Sequence, residues 1–158
     1  MRDTNFAARS SDGPGPDRDP RDEPDQIANG ERRRTAAFVS GIVAVIGAWV
    51  ALSPFVYGEG GATLWNNAVV GATVLVVAGY NVYRQYNDVP LSPGAAGLAT
   101  LLGLWLIVAA AALGMVTGAF WSTLVSGLLI AALAGYNTYE ARDTRAVTTE
   151  GDAGAGSA

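Results

Sequence analysis

The chain contains no cysteine, no histidine and no lysine. The first two absences remove disulfide staples, thiolate nucleophiles, Cys/His metal sites and imidazole acid–base chemistry. All ten basic residues are arginine, and fourteen acids bring the net charge to −4, a balance that disfavours nucleic acid as a partner. A lysine-free, acid-rich composition is halophile-like, and a GC-rich genome gives the same bias. Charge is nearly missing from the middle of the chain. Between positions 35 and 139 the only Asp, Glu or Arg residues are Glu59, Arg84 and Asp88, each at a junction between apolar stretches. Without an embedded carboxylate the usual general bases, nucleophiles and metal ligands are lacking, so the chain reads as a non-enzyme with no cofactor.

What is present is apolar length. Segments 35–57, 65–83, 94–115 and 119–139 carry no charge, and at about 1.5 Å rise per residue each reaches across the roughly 30 Å hydrocarbon core of a bilayer. A soluble bundle needs polar helix faces, and the runs 42–50, 68–79 and 98–113 show none. The expected fold is all-α: a polytopic membrane protein with four transmembrane helices arranged as two tandem helical hairpins, the lipid bilayer being its first partner. The expected organisation is a disordered tail over 1–34, a first repeat over 35–83, a linker over 84–93, a second repeat over 94–139 and a disordered tail over 140–158. The tails are rich in Pro, Gly, Asp and Glu and bury too little apolar surface to offset the entropy of ordering.

The two halves are copies. A shift of 56 positions lays 41–83 onto 97–139 without a gap, with twelve of 43 positions identical. All four tryptophans fall into register, Trp49 on Trp105 and Trp65 on Trp121, and the run Ala-Gly-Tyr-Asn-x-Tyr recurs at 78–83 and 134–139. An even number of crossings per copy inserts both copies the same way up, which implies a pseudo-twofold axis along the membrane normal. The arginines set the expected direction. Arg32, Arg33, Arg34, Arg84, Arg142 and Arg145 flank one side, while turns 58–64 and 116–118 have no basic residue, which places both termini in the cytoplasm of a multi-pass cell-membrane protein. A signal peptide at the arginine triplet fits poorly, because its apolar run is too long and has a duplicate at 97–113.

Near the end of the first apolar stretch stands Trp49-x-x-x-Ser53-Pro54-Phe55, followed by a Gly-rich turn and then Trp65-Asn66 and Gly71. Pro54 lacks a backbone donor and should bend or end its helix near Ser53. This pattern resembles the SPW repeat family of small integral membrane proteins. The resemblance implies duplicated two-helix units in a membrane and no defined activity. Phe55 stands where the motif's tryptophan would be, and Ala109-Ala110-Ala111 replaces the motif in the second copy.

Other residues point to packing. Trp65, Trp121, Tyr57, Tyr80, Tyr83, Tyr136 and Tyr139 fall near helix ends, as an interfacial belt would, whereas Trp49 and Trp105 sit deeper and suit packing between hairpins. Small residues recur every four positions: Ser40, Ala44 and Ala48; Ala95, Ala99 and Gly103; Gly127, Ala131 and Gly135. The last set offers a smooth groove for another helix, within the chain or from a partner. In the second helix the corresponding positions are Gly71, Leu75 and Gly79, whose leucine is expected to block the groove. Asn66, Asn67, Ser122, Thr123 and Ser126 suit helix capping or interhelical hydrogen bonds. Two functions remain open: a non-catalytic structural or partner-binding unit, associating as a homo-oligomer or with other membrane proteins, and a small-solute channel or uncoupled carrier lined by Ser53, Asn66, Ser122 and Thr123. Coupled transport needs an ionisable group at membrane depth, and none is present.

Overall fold

The computed structural model describes the backbone of residues 22–155 and side-chain surroundings over 27–143. Four helices follow in order: α1 (Asp22–Tyr57), α2 (Gly61–Tyr86), α3 (Pro93–Ala112) and α4 (Thr117–Ala155), with no strand among the described residues. Each contains a stretch long and apolar enough to span a bilayer: Ile27–Tyr57, Gly61–Tyr86, Pro93–Ala112 and Thr117–Asp143. The architecture is a four-helix membrane bundle built from two hairpins, α1–α2 and α3–α4. Residues from Arg33 onward form one compact unit, and the packing described below belongs to it.

The helices reach further than the apolar stretches. Residues 22–34 and 140–155, expected to be disordered, continue α1 and α4; residues 1–21 and 156–158 lie outside the described residues. Extending an existing helix adds a backbone bond per residue without a new nucleation cost, and the Ala, Glu and Arg residues in these segments are good helix formers.

Both hairpin turns use a left-handed glycine at equivalent places, Gly58 with φ +67° and Gly114 with φ +59°. The loop between hairpins is pinned by Arg84, whose Nε donates to the Pro90 carbonyl at 3.2 Å. Ser92 then caps α3, accepting from the Ala95 amide at 3.4 Å, with Pro93 in the first helical turn.

Pro54 does not end α1 at Ser53; the helix runs on to Tyr57. The reason lies in its neighbour. A residue at 54 would normally donate its N–H to the carbonyl of Val50, and proline has none. The Ser53 hydroxyl donates to that same carbonyl at 2.9 Å, buried in the bundle. Ser-Pro is thus a matched pair, with one side chain supplying the donor that the next backbone lacks, as a membrane interior requires.

Within each hairpin the helices cross on glycine. A Cβ placed on Gly47 would stand 2.8 Å from the Leu75 nitrogen, and one on Gly71 would fall on the Ala51 backbone. The second hairpin repeats this, with Gly103 2.6 Å from the Ala131 nitrogen and Gly127 2.8 Å from the Gly103 carbonyl, measured from the same imagined Cβ. The groove at Gly127, Ala131 and Gly135 is therefore filled by α3 of the same chain, with Thr100 packed near Gly135. Leu75 blocks nothing in α2. Its backbone faces Gly47 while its side chain is partly exposed, so both hairpins close equally tightly.

Between the hairpins lies a core of Val43, Val50, Val70, Val74, Ala78, Leu106 and Ile130. Val50 matches Leu106 and Val74 matches Ile130 at the 56-residue offset, and all four are at most 1% exposed. The larger share of big apolar side chains points the other way: Val45, Leu52, Val69, Val76, Leu101, Val108 and Leu128 are exposed. An apolar exterior around a small core of short side chains suits lipid as the surrounding medium.

Candidate functional site

Several polar side chains of the spans meet across the seam between the hairpins. Near the turns, Asn67 donates through Nδ2 to the Thr123 Oγ1 at 2.9 Å, and both are buried. These two residues are repeat counterparts, 56 positions apart. A residue touches its own counterpart only on the symmetry axis, so this bond marks a point on it. Flanking it are two reciprocal bonds. Trp49 donates from Nε1 to the Ser122 Oγ at 3.0 Å, and its counterpart Trp105 donates to the Asn66 Oδ1 at 2.9 Å, where Asn66 is in turn the counterpart of Ser122. Asn66 also donates to the Asn67 Oδ1 at 3.0 Å, joining Trp105, Asn66, Asn67 and Thr123 into one network beside the Trp49–Ser122 bond.

A second set of counterparts meets at the other end. Ser40 and Ala96, Val43 and Ala99, Ala78 and Ala134, and Asn81 and Asn137 together line one small cavity. Along α2, Asn81 stands fourteen residues from Asn67, or about 21 Å at 1.5 Å per residue. Two points this far apart along the helices fix the pseudo-twofold axis parallel to the bundle. Symmetry is incomplete here. Asn137 donates to the Ser40 Oγ at 3.2 Å, but Ala96 offers Asn81 no hydroxyl, and the Asn81 Oδ1 accepts instead from the Ser92 amide at 3.3 Å.

The seam thus has polar bonds near the turns, an apolar seal of Val50, Val74, Leu106 and Ile130 in the middle, and two asparagines toward the loop end. Such an arrangement fixes register. In a low-dielectric interior a polar group strongly favours the alignment in which its partner is present.

The residues singled out from the sequence divide accordingly. Trp105 and Asn66 belong to the network, and Trp49 to the bond with Ser122 that flanks it. The indole rings are 43% and 52% exposed and each bonds across to the other hairpin through Nε1, which suits a ring wide enough to face lipid while its polar edge turns inward. Ser53 and Pro54 are buried beside the network without joining it, and Phe55 points outward. Trp65 and Trp121 are exposed, the latter edge-on to Phe120 at 5.4 Å between centroids. Of the belt residues, Tyr80, Tyr83, Tyr136 and Tyr139 are exposed. Tyr57, at the end of α1, is half-buried, and its ring lies over Gly118, where an added Cβ would meet it at 2.8 Å.

Sequence reasoning passed over two features. Glu59, the lone acid at the turn end, accepts from the Val116 amide at 2.7 Å and ties the first turn to the start of α4, where negative charge suits the helix dipole. The cavity lining was also missed. The repeated Ala-Gly-Tyr-Asn-x-Tyr run already aligns Asn81 with Asn137, but not their place in a cavity, and the same offset applied to the polar residues would have paired Asn67 with Thr123.

The repeat therefore governs both the glycine crossings and the seam, and the SPW repeat domain model matches residues 34–137, nearly all of the duplicated region. The chain belongs to the SPW repeat family. No curated protein and no solved structure matches it. In this SPW repeat protein the Ser-Pro pair of the motif stands in the first copy alone, yet burial stays symmetric: Ser53 and Pro54 are buried like Ala109 and Ala110, while Phe55 and Ala111 are exposed. Among the described residues no cluster of acidic, histidine or cysteine side chains is arranged to hold a metal.

Proposed function

We propose that this SPW repeat protein is a non-catalytic four-helix unit of the cell membrane, with both termini in the cytoplasm, that works by lateral association with itself or another membrane protein. One observation carries the reading: Asn66, Asn67, Ser122 and Thr123 at the turn end of the seam are engaged in bonds to one another or to the tryptophans, and the seam's centre is sealed by side chains at most 1% exposed. Asn66, Ser122 and Thr123, the groups a solute path would use, are committed to Trp105, Trp49 and Asn67, and Ser53 to a backbone carbonyl. What the unit offers its surroundings is a rigid apolar exterior. The orientation rests on the arginines at the termini and at Arg84.

The test is reconstitution. Purified protein in liposomes should pass neither ions nor small neutral solutes above the rate of empty vesicles, while crosslinkers in native membranes should trap it in a discrete complex. A solute flux that Leu106→Ser raises and Leu106→Phe abolishes would replace this reading with a channel along the seam.

A further inference from the structure

The cavity at the loop end of the seam has a feature that the apolar core does not. Asn137 is 2% exposed, its Nδ2 donates to the Ser40 hydroxyl, and its Oδ1 is buried without a hydrogen-bond partner. Turning the amide over does not help. Ser40 then serves the oxygen and strands the nitrogen, so one polar atom is left over in either orientation. The leftover atom belongs to a residue that lines the cavity together with Asn81, Ser40, Ala96 and Ala99.

Size and chemistry select the occupant. The cavity holds about 10 Å³ of space for a water centre, close to the one probe sphere that a single water needs, and a water there requires two to four polar partners. Asn137, Asn81 and Ser40 supply them. Divalent cations call for carboxylates or many oxygens, and no acid lines the cavity. The cause of the opening is visible in the repeat. Where the first copy has Ser40 and Val43, the second has Ala96 and Ala99, so the missing hydroxyl and methyl groups leave room on one side of the axis.

We infer that this cavity is a binding site for one structural water, held on the pseudo-twofold axis between Asn81 and Asn137. A water offers two donors and two acceptors, so it serves two facing amides whichever way each is turned. It donates to the leftover Asn137 oxygen and bonds the Asn81 amide, linking the repeats where no direct bond spans these counterparts. Near the turns, by contrast, Asn67 and Thr123 meet directly. Gln85, which donates to the Asn81 carbonyl at 3.2 Å, also carries a buried oxygen without a partner, so the same end of the bundle has a second demand for water.

The experiment reads polarisation transfer from water to side-chain amide protons by NMR, on ¹⁵N-labelled full-length protein in lipid nanodiscs. Asn137 and Asn67 make a matched pair. Each is buried and donates to a hydroxyl, so relay through hydroxyl protons is common to both. Water signal should build up at Asn137 several times faster than at Asn67. Ala96→Val, which fills the cavity from the second repeat without touching Asn137, should slow the Asn137 build-up to the Asn67 rate. Equal rates for the two asparagines in the native chain would overturn the inference, and this comparison stands even if the variant fails to fold. An Asn137 build-up unchanged in folded Ala96→Val would overturn it as well. So would amide shifts at Asn81 and Asn137 that change when potassium replaces sodium at fixed ionic strength, since the occupant would then be a cation.

Discussion

Replacing Gly103 by alanine tests how tightly each hairpin is closed. The added methyl carbon would stand 2.6 Å from the Ala131 nitrogen, 2.8 Å from the Gly127 carbonyl oxygen and 3.0 Å from the Ala131 Cα. All three are backbone atoms, so no rotamer change relieves the contact. Restoring a separation of about 3.5 Å requires α3 and α4 to move apart by roughly 0.9 Å, which also loosens neighbouring contacts. Overpacking of this kind costs about 1–3 kcal/mol. Helix propensity works in the opposite direction by up to about 1 kcal/mol, and Gly135→Ala cancels it, because that methyl would meet only Thr100, at an ordinary 3.7 Å. The quantity to measure is thus the difference between the two variants, by reversible unfolding in mixed micelles. Gly103→Ala should be less stable than Gly135→Ala by about 1–3 kcal/mol. Gly47→Ala, its counterpart in the first hairpin, should behave alike, since its methyl would meet the Leu75 nitrogen at 2.8 Å. Equal stabilities for Gly103→Ala and Gly135→Ala would show that the helices do not cross on glycine.

The Ser-Pro pair predicts a coupled pair of mutations: Ser53→Ala should cost about 1 kcal/mol in the native chain and almost nothing beside Pro54→Ala, where the restored N–H serves Val50, as unfolding of the four variants will show. Asn67→Leu and Thr123→Val should each destabilise, with a coupling of about 0.6–1.7 kcal/mol in a double-mutant cycle; a coupling of zero would mean that the bond across the axis does not form in the membrane. Ala131→Leu should lower monomer stability and leave crosslinking between chains unchanged, because α3 fills that groove. Reporter fusions after Tyr57, Tyr83, Met115 and Tyr139 should read outside, inside, outside, inside, and an outside signal at Tyr139 would reverse the assignment of the C-terminus.

The spans were legible because uncharged length is a one-dimensional property, and 35–57 falls within Ile27–Tyr57. The repeat was legible for the same reason. What the sequence could not express was partnership across the seam. Trp49 and Ser122 are 73 positions apart, and nothing local to either marks the bond; the repeat offset only maps it onto its counterpart, Trp105 to Asn66, and does not pair the two residues. Leu75 illustrates a second limit. A large side chain in a stripe of small ones looked like an obstruction, but a helix has room to turn that side chain outward while its backbone still meets a glycine. Pro54 illustrates a third, because its effect depended on the hydroxyl one residue before it. The helical ends beyond the apolar stretches were hidden since composition reports the tendency of an isolated segment, not of one already attached to a helix.

The arrangement of two hairpins about a common axis is open to one direct measurement. The chain has no cysteine of its own, so pairs can be introduced on a silent background. Asn67→Cys with Thr123→Cys places two thiols where counterparts meet on the axis, and Val69→Cys with Val125→Cys places the same 56-residue offset on exposed, outward-facing positions. On mild oxidation in native membranes, the first pair should form an intramolecular disulfide, seen as a mobility shift reversed by reductant, and the second should not. A disulfide within the chain at 69 and 125 with none at 67 and 123 would contradict the symmetric seam on which the account rests.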